Sequence, residues 1–135
     1  MNIEAFLLCD AATDQQGKLN ILGAFDNIFV KRVPYMHPSC AIAARIRFEK
    51  NEEGNHPIRI HIIDEDGKSI GPNPQGNINI SIGDDVDSGV ANIVLNIQRL
   101  NLEKYGQYRI DLFIDNQPKG SLPFYIREIP NQAKL

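Results

Sequence analysis

Apolar and polar residues alternate with a period of two along much of this chain, the period of an extended strand whose successive side chains point to opposite faces. Residues 77–82, NINISI, carry the cleanest signal, with isoleucine at every second position. In residues 40–48, Ile42, Ala44, Ile46 and Phe48 fall on one face and Ala41, Ala43, Arg45 and Arg47 on the other, the pattern of a half-buried strand. Residues 57–63 alternate likewise, and the charged loop EKNEEGNH between the two segments predicts that they pair as a hairpin. Further strands follow at 91–97, at 106–115 with Tyr108, Ile110, Leu112 and Ile114 on a common face, and at 121–128. Pro123 cannot donate to a ladder, which places this last strand at an edge or at a bulge. The only candidate helical turn is 100–105, too short to alter the class.

The N-terminal third is organised differently. Phe6, Leu7, Leu8 and Cys9 form a continuous apolar patch followed by Ala11 and Ala12, which suits a strand covered on both faces. The polar turn TDQQGK returns the chain into residues 18–33, KLNILGAFDNIFVKRV, the stretch around which the remaining strands are arranged. Gly23 and the Asp26-Asn27 pair interrupt this stretch twice, as expected of a strand that leaves one sheet for another. PYMHP, bounded by Pro34 and Pro38, predicts a corner or crossover. DEDG at 64–67 predicts a tight turn that folds the chain straight back.

Eight or nine strands separated by turns, with no alternating strand–helix units and no internal repeat, predict an all-β antiparallel sandwich of about eight strands. A partly closed β-barrel is the alternative. A length of 135 residues suits a single domain that buries roughly 65–70% of its unfolded surface. We expect that domain over residues 1–128, with a tail at 129–135. The 42% hydrophobic content removes disorder and cystine-stapled scaffolds from consideration. A net charge of −3 supplies no broad positive field for phosphates, so nucleic acid is not expected as a partner. Neither a signal peptide nor an apolar run of transmembrane length is visible, so the expectation is a cytoplasmic protein without a membrane partner. In that compartment Cys9 and Cys40 are expected as free thiols.

Two long patches resemble a family of small uncharacterised bacterial proteins, a domain of unknown function. They are LLCDAATDQQGKLNILGAFDNI and, after the proline-bounded segment, CAIAARIRFE; the DEDG turn and the Gly-x-Tyr at Tyr108 followed by PFYI extend the likeness. The resemblance implies a β-sandwich of immunoglobulin-like, or jelly-roll-related, type and transfers no functional residue. Leu102-x-x-x-Gly106-x-Tyr108 is also similar to the tyrosine corner of Greek-key sandwiches.

Candidate chemistry is sparse. Asp84, Asp85 and Asp87 carry part of the carboxylate spacing of a calcium loop without its closing glutamate, and a solvated turn is the plainer reading of them. Arg45, Arg47 and Arg59 would form an anion-attracting patch if their strands lay side by side; pairing with Glu49, Asp64 or Asp111 is the plainer use. His37, His56 and His61 share no metal-ligand spacing, and no nucleophile has a readable base and oxyanion partner. We therefore expect no catalytic residue and no cofactor. The function expected is a non-enzymatic binding or accessory module engaging another protein, a peptide or itself. A small-ligand or calcium-binding protein and a homo-oligomeric structural protein are the alternatives.

Overall fold

A computed structural model describes residues 1–130 of the protein, and those residues form nine strands. They are β1 (Asn2–Gln15), β2 (Lys18–Ala24), β3 (Asn27–Val30), β4 (Tyr35–Glu49), β5 (Gly54–Asp64), β6 (Gln75–Ile80), β7 (Ser88–Leu102), β8 (Gly106–Ile114) and β9 (Gln117–Glu128). One sheet has the order β2-β1-β4-β7 and the other β3-β9-β8-β5-β6. Every pair is antiparallel except β3 with β9, a distinction that period-two alternation does not carry because it is the same in both directions. The all-β sandwich read from the pattern is the fold that forms.

The two sheets share one core. β4 contributes Ile42, Ala44, Ile46 and Phe48, β8 contributes Tyr108, Ile110, Leu112 and Ile114, and β9 adds Phe124 and Ile126, all buried. Each large side chain removed from water in this way contributes roughly 1.5–3 kcal/mol. Tyr108 stacks on Phe124 with ring centroids 5.2 Å apart, and its hydroxyl donates to the carbonyl of Lys104 at 2.6 Å. That hydrogen bond fastens the β7–β8 connection to its own upstream backbone, as the tyrosine-corner resemblance implied.

The organising stretch does pass between sheets. β2 belongs to the four-stranded sheet and β3 to the five-stranded one, and the chain turns between them beyond Gly23, whose φ of +68° lies in the left-handed region. β1 bends at the same level: residues 2–9 pair with β4, whereas residues 9–15 pair with β2. The β1–β2 hairpin therefore folds back across the outer face of its own sheet, over β4 to β7. There the Asn92 side-chain amide donates to the Gly17 carbonyl at 3.0 Å, and Arg45 Nη1 donates to the same oxygen at 3.3 Å. Leu19 and Ile21 pack onto a second apolar cluster of Cys9, Ala12, Ala41 and Ala43. Ala41 and Ala43, read as the exposed side of a half-buried strand, are 0% exposed. The strand is covered on both faces because the hairpin lies on it.

Three local expectations are corrected. The segments 40–48 and 57–63 do not form a hairpin: β4 and β5 lie in different sheets, joined by a short 3-10 turn at Lys50–Glu52. Its capping box pairs Glu49 with Glu52, and Lys50 Nζ donates to the carbonyls of Ile82 and Gly83 at 2.7 and 3.1 Å. A charged loop thus serves as a crossover, held by bonds to residues 32 and 33 positions away that no local pattern reveals. The helical turn at 100–105 is absent; β7 continues to Leu102. Arg99 takes a φ of +59° opposite Pro38, and the inward set changes there from Ile97 to Leu100 and Leu102, which imitates helical spacing. PYMHP is a crossover only at its first residue: Pro34 closes the bend at 31–34 that carries the chain from β3 in one sheet to β4 in the other, whereas Tyr35 to Pro38 open β4.

Pro123 sits where β9 is paired only with β8, because β3 joins β9 from Tyr125 onward, in accord with its expected edge position. β9 ends at Glu128, and in the expected tail the Ile129 N–H donates to the Val30 carbonyl at 3.0 Å. Residues 131–135 of that tail lie outside the described residues.

Candidate interaction surface

The three arginines singled out in the sequence do not meet. Arg45 and Arg47 project from the outer face of β4 and share Glu4 of β1: Arg45 Nε reaches Oε1 at 3.0 Å and Arg47 Nε reaches Oε2. The Arg47 hydrogen bond is the main reason the Glu4 carboxyl is held below its ordinary range. Arg59 lies on the other sheet, its guanidinium 4.2 Å above the Phe113 ring and bonded to Asn116 at 3.1 Å. Of the partners expected for the arginines, Asp111 is bonded to Arg109 at 2.9 Å and Asp64 lies near Lys104 at 3.5 Å, while Glu49 caps the 3-10 turn and its charge acts on Arg47 without an ion pair. Glu4 is the partner that sequence reading missed, because the β1–β4 register that delivers it is a long-range fact.

Asp84, Asp85 and Asp87 occupy the β6–β7 connection. Asp84 is fully exposed and lies 3.6 Å from Lys50 Nζ, while the Asp87 carbonyl accepts the Lys50 N–H at 3.1 Å. Among the described residues no three His, Cys, Asp or Glu side chains are placed to hold a metal ion.

His56 packs against Phe48, ring centroids 4.8 Å apart and tilted by 35°, between Asp115 (3.0 Å from Nδ1) and the Glu52 carbonyl (2.6 Å from Nε2), and the carbonyl is the chief cause of its raised pKa. Burial lowers the pKa of His37, which lies beside Tyr35. Cys9 and Cys40 are free and buried on opposite sides of their sheet, Cys9 in the cluster under the hairpin and Cys40 in the main core. Burial raises both thiols, Cys40 to about 11, the direction opposite to that of an activated thiolate.

The most distinctive surface is one the sequence does not mark as a site. β7 pairs with β4 continuously from Ser88 to Leu102 and is the last strand of its sheet. Among the described residues no backbone hydrogen bond from a turn or loop reaches its other edge. Residues 88–98, SGVANIVLNIQ, include no ionisable side chain and no proline, so the usual guards of a free edge are missing. The remaining sheet edges are protected: β3 has four residues, β6 has six, and β2 folds back with its hairpin.

Ile93 and Leu95, inward-facing residues of β7, are only half-buried, whereas Ile42, Ala44 and Ile46 beside them on β4 are 0% exposed. They border a groove of about 200 Å³ whose opposite wall is Ile58, Ile60, Pro74 and Gly76. An edge of unpaired amides beside an apolar slot can receive an extended segment: main-chain hydrogen bonds hold it, and alternate side chains enter the slot. Alternation locates β7 as a strand, but its edge position follows only from the pairing. The uncharged run 88–98 was the available signal.

No curated protein matches the chain in sequence. Over 76% of its length the chain is weakly similar in structure to the Pseudomonas fluorescens alkylpurine DNA glycosylase AlkC bound to DNA containing an abasic site analog, with a TM-score of 0.46 and 9% identity. The aligned chain spans 28% of that enzyme's length. The sequence profile of the Family of unknown function (DUF6941) matches residues 4–127, and the chain belongs to that family.

Proposed function

We propose that this protein is a non-enzymatic interaction module, cytoplasmic and built on an immunoglobulin-like sandwich, that takes up an extended protein segment along the free edge of β7. The observation that carries this reading is the 15-residue edge strand, uncharged from residue 88 to 98 and bordered by a half-exposed apolar groove. Such an edge templates pairing with another chain, and stable folds keep it only where pairing is used or blocked.

The test is selection of displayed random peptides on the protein, followed by mapping of the selected peptides on its backbone amides by NMR. Strand addition predicts perturbation and slowed exchange of amides in residues 88–98. Peptides that bind while perturbing other surfaces and leaving β7 unchanged would overturn the reading.

A further inference from the structure

Resting on the strand-addition reading, we infer that the segment covering β7 is β7 of a second copy of this chain, antiparallel about a two-fold axis through Val94. Opposed residues on antiparallel strands share a face, so a two-fold axis must pass through a residue position to keep apolar against apolar; a one-residue slip would set the inward isoleucines against asparagines. With the axis at Val94, Ile93 meets Leu95 of the second copy and Ala91 meets Ile97, both pairs on the inward face. The side chains of Ile93 and Leu95 from each copy then lie alongside the groove of the other. On the outward face Asn92 meets Asn96.

Charge fits this pairing. Arg99 is the only charged residue of β7, and in this register it meets Gly89 rather than a like charge. Asn92 accepts a hydrogen bond from Arg45 Nη1 at 3.1 Å and donates to Asp14 Oδ1 at 3.3 Å, so the outward row runs from Asn96 of one copy through Asn92 of the other to a guanidinium already paired with Glu4 and to a carboxylate, a site without excess charge of either sign. The two four-stranded sheets would join into one of eight strands.

The row supplies a test. Asn96 is exposed, so substitutions there leave the fold intact, which circular dichroism verifies. Light scattering of the wild-type protein at micromolar concentration is expected to give a dimer. Asn96→Lys and Asn96→Glu, each of which replaces the Asn96–Asn92 amide pair with a charge facing an ion network that is already paired, are both expected to weaken dimerisation about tenfold. A dimer indifferent to both substitutions would overturn the inference, because its interface would lie elsewhere. A wild-type monomer would also overturn it, and a synthetic peptide of residues 90–99 then separates the two readings. Uptake of that peptide on the β7 amides would preserve strand addition with a different partner, whereas no uptake would count against strand addition as well.

Discussion

The carboxylate of Asp10 lies over the backbone of Gly23: a Cβ at position 23 would sit 2.5 Å from Asp10 Oδ2 and 3.0 Å from its Cγ. The same glycine has a φ of +68°, so a side chain there meets both a steric and a conformational penalty. Gly23→Val is expected to destabilise the protein by about 1–3 kcal/mol in urea denaturation. Adding Asp10→Ala should recover the steric share and leave the backbone share. A Gly23→Val protein that melts like the parent would remove the corner from this position.

Tyr108 ties its hydroxyl to the carbonyl of Lys104 at 2.6 Å from a ring that is 2% exposed. Tyr108→Phe keeps the stack on Phe124 and removes only the hydroxyl. It should cost about 1–2 kcal/mol, the net value of a hydrogen bond plus a partly buried carbonyl left without its donor. Faster amide exchange near Lys104, with the core strands unchanged, would locate the loss in the β7–β8 connection.

Both ring nitrogens of His56 face acceptors, the Glu52 carbonyl and the Asp115 carboxylate, so both bonds require the imidazolium. Its pKa is raised from 6.5 by the Glu52 carbonyl first, with Asp115 adding to it against the cost of burial. The stability this group contributes is fully present below pH 6.5 and is lost as pH rises through the raised folded value. Asp64 works in the opposite direction. Backbone N–H groups of Lys68 and Asp66 lower its pKa from 3.8, and its contribution is lost only as pH falls through the lowered folded value. Thermal melts from about pH 5.5 to about pH 8.5 should therefore show a decline that His56→Gln abolishes. An unchanged slope in that variant would assign the decline to another group.

The β6–β7 connection gives a simple readout for metal. Lys50 already lies 3.6 Å from Asp84 and bonds two carbonyls of the same connection, so a cation there would meet a resident ammonium. Calcium is expected to leave the melting temperature unchanged. A calcium-dependent rise that Asp84→Asn and Asp87→Asn remove would establish the loop as a binding site.

Strands were legible in the sequence wherever one face met the core and the other met water, as at Ile110, Leu112 and Ile114, because burial imposes the period directly. Partners were not legible. Nothing local in residues 40–48 and 57–63 distinguishes two strands of one hairpin from two strands in opposite sheets, and nothing near Arg45 names Glu4, 41 positions away, as its carboxylate. The kink at Arg99 changed the parity of β7 and made an extended segment look helical. The free edge of β7 was hidden for the same reason as the hairpin error: an edge is a property of pairing, whereas the pattern records only facing.

Ala41 and Ala43 carry the clearest trace of a feature the alternation mislabelled. Two alanines on a supposedly exposed face are small because Leu19 and Ile21 of the β1–β2 hairpin lie on them, leaving both 0% exposed. Ala43→Leu would add three carbons where the hairpin already touches the sheet, and it should cost about 1–3 kcal/mol through overpacking. The strain has an outlet that a core position lacks, since lifting the hairpin breaks the bonds from Asn92 and Arg45 to the Gly17 carbonyl and leaves the two-sheet core intact. Hydrogen exchange should therefore quicken selectively in residues 12–21, with β8 and β9 unchanged. Asn92→Ala, which removes one of the two bonds to the Gly17 carbonyl without adding volume, should produce the same local pattern at a smaller cost of about 1 kcal/mol. Exchange that rises uniformly in both variants would mean that the hairpin and the core open as one unit.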